Sequence, residues 1–308
     1  LSAVSESYCG PGCRVGMILP WEFGFLPRSW VAPLNDNVDM VYGPSTYNQN
    51  VFVDSGIKLE RTGLLPAGID CDAIHARSNA TQPEEGANDI VTFVFSGGLL
   101  PRKGIDIILE EWKKLYCHSK DVRLMLHTSY ELGYSLTEIS AFEEIVKQCR
   151  STVTWKRQDW MTAEDHASMI RGADIYLAPF RSEGFGLPIV EAMEMGLRVI
   201  APVGGTAADD YMYWPQKRRA TGAKERAQQM YPVKSSTSRC SHEPCSGRKL
   251  CLFPPPGRRC EVLVQDPTWF EADRNDVRKQ MEAALRDVQE ARGGGTDRVG
   301  NLDGEDVR

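Results

Sequence analysis

The chain has 308 residues, 42% hydrophobic and 25% charged, a balance that suits a globular protein with a sizeable core and excludes fibrous or disordered classes. Its formal charge of -6, from 36 basic and 42 acidic residues, gives no electrostatic reason to expect nucleic acid as a main partner. No apolar run approaches the ~20 residues that span a bilayer.

The opening, LSAVSESYCGPGC, has neither the charged nor the apolar region of a signal peptide, and it starts on Leu1, as a processed or incomplete chain would. Short β-branched or apolar runs predict strands at 14–19, 39–42 and 57–66, too few to close a domain alone. Residues 1–70 therefore read as the end of a larger α/β unit. Residues 71–88 read as a linker, with its polar, turn-rich part at NATQPEEGAN (79–88). Strands at 89–96, 121–128, 152–155, 174–178 and 198–201 then alternate with helical periodicity at 104–116, 136–149, 163–172 and 188–195. That alternation predicts a parallel sheet with helices on both faces over 89–212. The stretch 213–265 is basic and rich in Ser, Pro and Cys, and reads as an irregular insertion. Residues 266–291 supply an amphipathic helix centred on RKQMEAALRDVQEA, and 292–308 a flexible tail.

Nine cysteines is an odd count, and Cys9, Cys13, Cys71, Cys117 and Cys149 are scattered. The chain is longer and less loop-rich than a secreted disulfide scaffold, so a reducing, cytoplasmic compartment is expected. Asn79-Ala80-Thr81 is a glycosylation sequon that matters only in the secretory pathway. Cys240, Cys245, Cys251 and Cys260, with His242 nearby, are spaced too loosely for a tight zinc knuckle, so no metal site is expected. The basic run Lys217-Arg218-Arg219 suits a solvated loop, with contact to an anionic membrane surface as the alternative.

The chemistry concentrates in ADIYLAPFRSEGFGLPIVEAMEMGLRVIAPVGG (173–205). A strand runs into the loop SEGFG, Pro188 suits the first turn of a helix, and Gly196 suits its stop. The loop is thus presented at the carboxyl end of a strand and the N-terminus of a helix, where free amides favour an anion such as phosphate. Glu183 in the loop and Glu191 one turn into the helix can both face one pocket, as acceptors for sugar or ribose hydroxyls. The plainer reading is that both complement the helix N-terminus.

EGFGLPIVEAM (183–193) resembles the nucleotide-sugar domain of retaining glycosyltransferases of family 4, which have the two-domain GT-B fold. FVFSGGLLPRKGIDIILEEW (93–112) looks like the family's strand, glycine-rich turn and Arg/Lys-Gly motif, and VDMVYGPSTYNQNVFVDSGI with LLPAGID resembles the last N-terminal elements and the crossover. The resemblance covers roughly residues 18–210 and implies hexosyl transfer from a nucleoside diphosphate sugar to an acceptor hydroxyl with retention, without metal or other cofactor. The acceptor, whether glycan, lipid or small molecule, is left open. The resemblance places Lys103 on the donor diphosphate, Glu191 on the ribose and Glu183 near the sugar hydroxyls. It places the backbone of Gly98, Gly184, Phe185, Gly186 and Leu187 along the donor, with the Phe185 and Leu187 side chains read as packing.

Two departures stand out. Many family members carry an arginine where this chain has Gly98, so Arg102, beside Lys103, is the expected substitute cation. About half of the usual N-terminal domain, which bears the acceptor site, is missing before Leu1. Trp21 and Glu22, in PWEFGFLPRSW, resemble a version of the family found in some members, and Glu22 is read as packing. A nucleotide-sugar-binding protein without transferase activity is the competing reading.

Overall fold

A computed structural model describes residues 13–71, 74, 90–129, 133–158, 162–211, 230–239, 245–246, 249–252, 259–265 and 268–293. The 79–88 linker stretch with its sequon, the Lys217-Arg218-Arg219 run, Cys240, His242 and the tail from 294 lie outside the described residues.

The chain begins with β1 (Gly16–Ile18), α1 (Arg28–Asn37), β2 (Met40–Gly43), α2 (Thr46–Asp54) and β3 (Thr62–Leu64). The three strands pair in parallel in the order β1-β2-β3. Trp21, Phe23, Leu26, Leu34, Val41, Val51 and Phe52 are buried between them and the two helices. The larger unit comprises β4 (Val91–Gly97), α3 (Ile105–Leu115), β5 (Val122–Thr128), α4 (Leu136–Gln148), β6 (Val153–Arg157), α5 (Ala163–Arg171), β7 (Ile175–Leu177), α6 (Leu187–Glu194) and β8 (Arg198–Val203). These elements fall where the periodicity put them, because β4, β7 and β8 are apolar on both faces, as strands covered by helices must be. Start signals also agree: Ser135 with Glu138 forms a capping box on α4, and Thr162 caps α5.

The expected irregular insertion is corrected by β9 (Met230–Arg239), which pairs in parallel with β8 inside the main sheet. Beyond it, β10 (Cys245–Ser246), β11 (Lys249–Leu252) and β12 (Arg259–Val262) form a small antiparallel sheet. Only Met230, Tyr231 and Val233 of β9 reach the core, whereas its Ser/Thr-rich half pairs with β13 (Thr268–Ala272), so the segment lacks a strand's apolar signature. The seven-stranded order is β13-β9-β8-β7-β4-β5-β6, antiparallel only at β13. The closing helix α7 (Arg274–Gly293) buries Val277, Met281, Ala284 and Val288 in the same core as Trp112 and Phe93.

Cysteine pairing differs from the reduced state expected of scattered thiols: Cys117, after α3, and Cys149, after α4, form a disulfide across 32 residues. Their separation in sequence hid a spatial adjacency created by the packing of α3 against α4. Cys71 is a free thiol. Among the described residues no helix is long and apolar enough to cross a membrane, and no cluster of His, Cys, Asp and Glu could hold a metal ion.

Candidate donor site

The site forms where two strand-to-helix turns meet. After β4 the chain turns at Gly98, whose carbonyl accepts from the Leu100 amide at 2.9 Å, and makes one 3-10 turn at Pro101–Lys103. Gly104 closes that turn with φ +75, and a Cβ there would lie 2.1 Å from the Pro179 carbonyl oxygen. Only glycine lets the two turns approach so closely. They are stitched together by the Arg102 carbonyl, which accepts from the amides of Arg181 (2.7 Å) and Ser182 (3.3 Å).

Arg181 braces this junction from beneath. Its guanidinium donates to both carboxylate oxygens of Asp106 (2.8 and 2.7 Å), to the Pro101 carbonyl (2.8 Å) and to Glu271 (2.7 Å), and lies over the Trp269 ring. Burial opposes ionisation of Asp106, but the hydrogen bonds and charge of Arg181 outweigh it and hold the carboxyl below its ordinary range. This buried network was not anticipated from sequence. Its members lie 75 and 90 residues apart, and no local pattern links them.

The structure brings Lys103 onto Glu183 and Arg102 beside them. Lys103 Nζ is in direct contact with Glu183 Oε2, and Arg102 Nη1 lies 3.8 Å from the same oxygen. Glu22, expected to pack, instead pairs with Arg102 at 2.7 Å, because the Trp21–Leu26 turn crosses over this corner. Trp21 itself is buried, with edge-on contacts to Phe23 and Trp30. The same N-terminal region grips the loop through Ser45, which accepts from the Asn48 amide as the cap of α2 and donates its hydroxyl to the Gly184 carbonyl at 2.7 Å.

A Cβ at Gly184 would sit 3.3 Å from the Trp21 carbonyl oxygen, a tight contact, and Gly186 has φ +90 with the Tyr211 hydroxyl 2.9 Å from a Cβ position. Among the described residues, no group accepts from the amides of Gly184, Phe185, Gly186 or Leu187, which leaves four donors at the start of α6. Phe185 packs as expected, edge-on to Tyr211. Leu187 does not: it is 41% exposed, because the first residue of α6 points away from the sheet. Glu191 is half-buried, and that burial raises its carboxyl pKa. Burial holds the Tyr176 hydroxyl above the usual tyrosine range against its hydrogen bond to the Ser96 carbonyl, and the charges of Glu183 and Glu191 add to the rise. Behind them, Ser96 lies between His127 Nδ1 (3.1 Å) and His166 Nε2 (3.0 Å), and burial lowers both imidazole pKa values.

Residues 90–213 match the family model for glycosyl transferases group 1. That match spans 124 of the 308 residues. The architecture of the chain is of the GT-B type. HepE of Anabaena, solved with UDP and glucose, superimposes with a TM-score of 0.51 over 64% of this chain and 54% of that one, at 17% identity. Among curated proteins, the MMP alpha-(1->4)-mannosyltransferase of Mycolicibacterium hassiacum is 24% identical over 51% of this chain and 34% of its own length. The D-inositol 3-phosphate glycosyltransferase of Segniliparus rotundus is 29% identical over 47% of this chain and 33% of its own. The chain thus spans about a third of the length of these curated relatives. Within the matched segment lie both turns of the site, whereas Glu22, Ser45 and Glu271 come from outside it.

Proposed function

We propose that this chain binds a nucleoside diphosphate sugar at the junction of the two turns and takes part in hexosyl transfer to an acceptor hydroxyl with retention of configuration. The observation that carries the reading is the contact of Lys103 with Glu183, with Arg102 beside them, directly before the unpartnered amides at the start of α6. Two cations and a helix N-terminus are what a leaving diphosphate requires, because negative charge builds on it as the bond to the sugar carbon breaks. In this scheme Lys103 and Arg102 hold the diphosphate, Glu191 accepts from the ribose hydroxyls, and Glu183, with the backbone of Gly98 and of 184–187, borders the sugar. As the acceptor oxygen takes the sugar carbon, the electron pair of the broken bond leaves with the diphosphate, whose freed oxygen takes the acceptor's proton. The scheme calls on no metal, and the acceptor is a glycan, lipid or small molecule.

A second reading, donor binding without transfer, is favoured by Gly98, which supplies no cation at that turn. Calorimetric titration with UDP, GDP and ADP tests the donor site. One of the three should bind, and Lys103→Ala and Glu191→Ala should each weaken it at least about tenfold, the scale of one charged hydrogen bond. Equal binding in both variants would place the nucleotide elsewhere. Release of free nucleotide only when an acceptor is added would separate transfer from binding alone.

A further inference from the structure

Arg102 and Lys103 are both engaged by carboxylates, Arg102 by Glu22 and Lys103 by Glu183. With Gly98 adding no charge, the cluster contains two cations and two carboxylates and has no net positive charge to offer an anion. A diphosphate added to the intact cluster would meet two carboxylates at short range, which opposes its binding.

The four groups are not equivalent. Glu183 is 12% exposed and held inside the SEGFG turn, whereas Glu22 is 33% exposed and enters from the separate Trp21–Leu26 segment. The Glu22 backbone is fixed independently of its carboxylate, because its carbonyl accepts from the Tyr47 hydroxyl at 3.1 Å. The side chain can therefore leave Arg102 without moving its own turn. Removing that one carboxylate turns the cluster net positive while Glu183 stays in the donor loop.

We propose, resting on the donor-site reading above, that Glu22 occupies Arg102 as an internal stand-in for the donor diphosphate, so that a nucleoside diphosphate binds by displacing it. Glu22 is then a residue of the donor site supplied from outside the matched segment, and it sets donor affinity through Arg102. Because the exchange swaps one anion for another on the same guanidinium, no bond is made or broken.

Calorimetry with UDP, GDP and ADP on the full chain tests this in four forms: unaltered, Glu22→Gln, Arg102→Ala and the double variant. Glu22→Gln should bind the preferred nucleotide about fivefold more tightly, in keeping with loss of a partly exposed charge competitor. Arg102→Ala should bind more weakly, and the gain from Glu22→Gln should vanish in the double variant. Glu22→Asp, which shortens the reach without removing the charge, should fall between, and matching near-UV circular dichroism would show each variant folded. Unchanged or weaker binding by Glu22→Gln, or a gain that persists without Arg102, would overturn the displacement while leaving the donor site standing. Binding only after Glu22→Gln would support it strongly. No binding in any form would overturn the donor site and the displacement together.

Discussion

Glu191 shows how a single buried carboxylate links binding to stability. Its pKa is raised from 4.5 by burial, so the folded chain holds the proton more tightly than the unfolded chain does. Glu191 therefore favours the folded state fully below about pH 4.5, and this contribution falls away as pH rises through the raised value. Glu191→Gln removes that loss. In thermal melts across pH 4 to 8 (about the range over which a raised carboxyl titrates), the variant should lose less stability with rising pH than the unaltered chain. It should be the more stable of the two at neutral pH, even as nucleotide affinity drops. Parallel pH profiles for the two proteins would show that Glu191 carries no such burden.

At the scale of elements, the site depends on how closely two turns can pack. Gly104→Ala would put a methyl group 2.1 Å from the Pro179 carbonyl at a left-handed φ, so either the 3-10 turn or the loop after β7 must shift. We expect a loss of more than about 2 kcal/mol in denaturant unfolding, together with loss of nucleotide binding, since the shift moves Lys103 against Glu183. Folding of Gly104→Ala with undiminished stability would mean that the turns are less tightly apposed. The turns themselves were legible in sequence because every cue is local: Gly-Gly-Leu-Leu-Pro-Arg-Lys-Gly before one helix, Glu-Gly-Phe-Gly-Leu-Pro before the other. The groups that complete them were not. Glu22, Ser45, Arg181 and Glu271 meet only after the chain has folded back on itself, and a charged residue in isolation looks the same whether it is solvated or paired. In the same way β9 was missed because half of it covers no core, and α1 because Pro33 lies inside it. Leu187 is apolar and sits in a motif, yet it is 41% exposed, and its residue type alone carries no sign of that.

For the whole molecule, the disulfide closes a loop that contains β5 and α4. In a chain-entropy account, a cross-link over 32 residues contributes about 3.7 kcal/mol by restricting the unfolded chain. Cys149→Ser should lower denaturant-unfolding stability by about that amount under non-reducing conditions. No effect would show that the pair contributes nothing to stability.

The Arg181 brace also has a consequence for biosynthesis. The guanidinium that supports the SEGFG loop is satisfied in part by Glu271, 90 residues downstream, and the backbone carbonyl at Arg181 accepts from Phe270. On a ribosome delivering the chain from its N-terminus, Arg102, Lys103, Glu183 and Glu191 of the proposed site emerge well before this support. Until the strand Thr268–Ala272 has been translated and seated, Arg181 lacks one of its two acidic partners. A nascent chain stalled short of that strand would hold the whole binding motif and still lack the finished site.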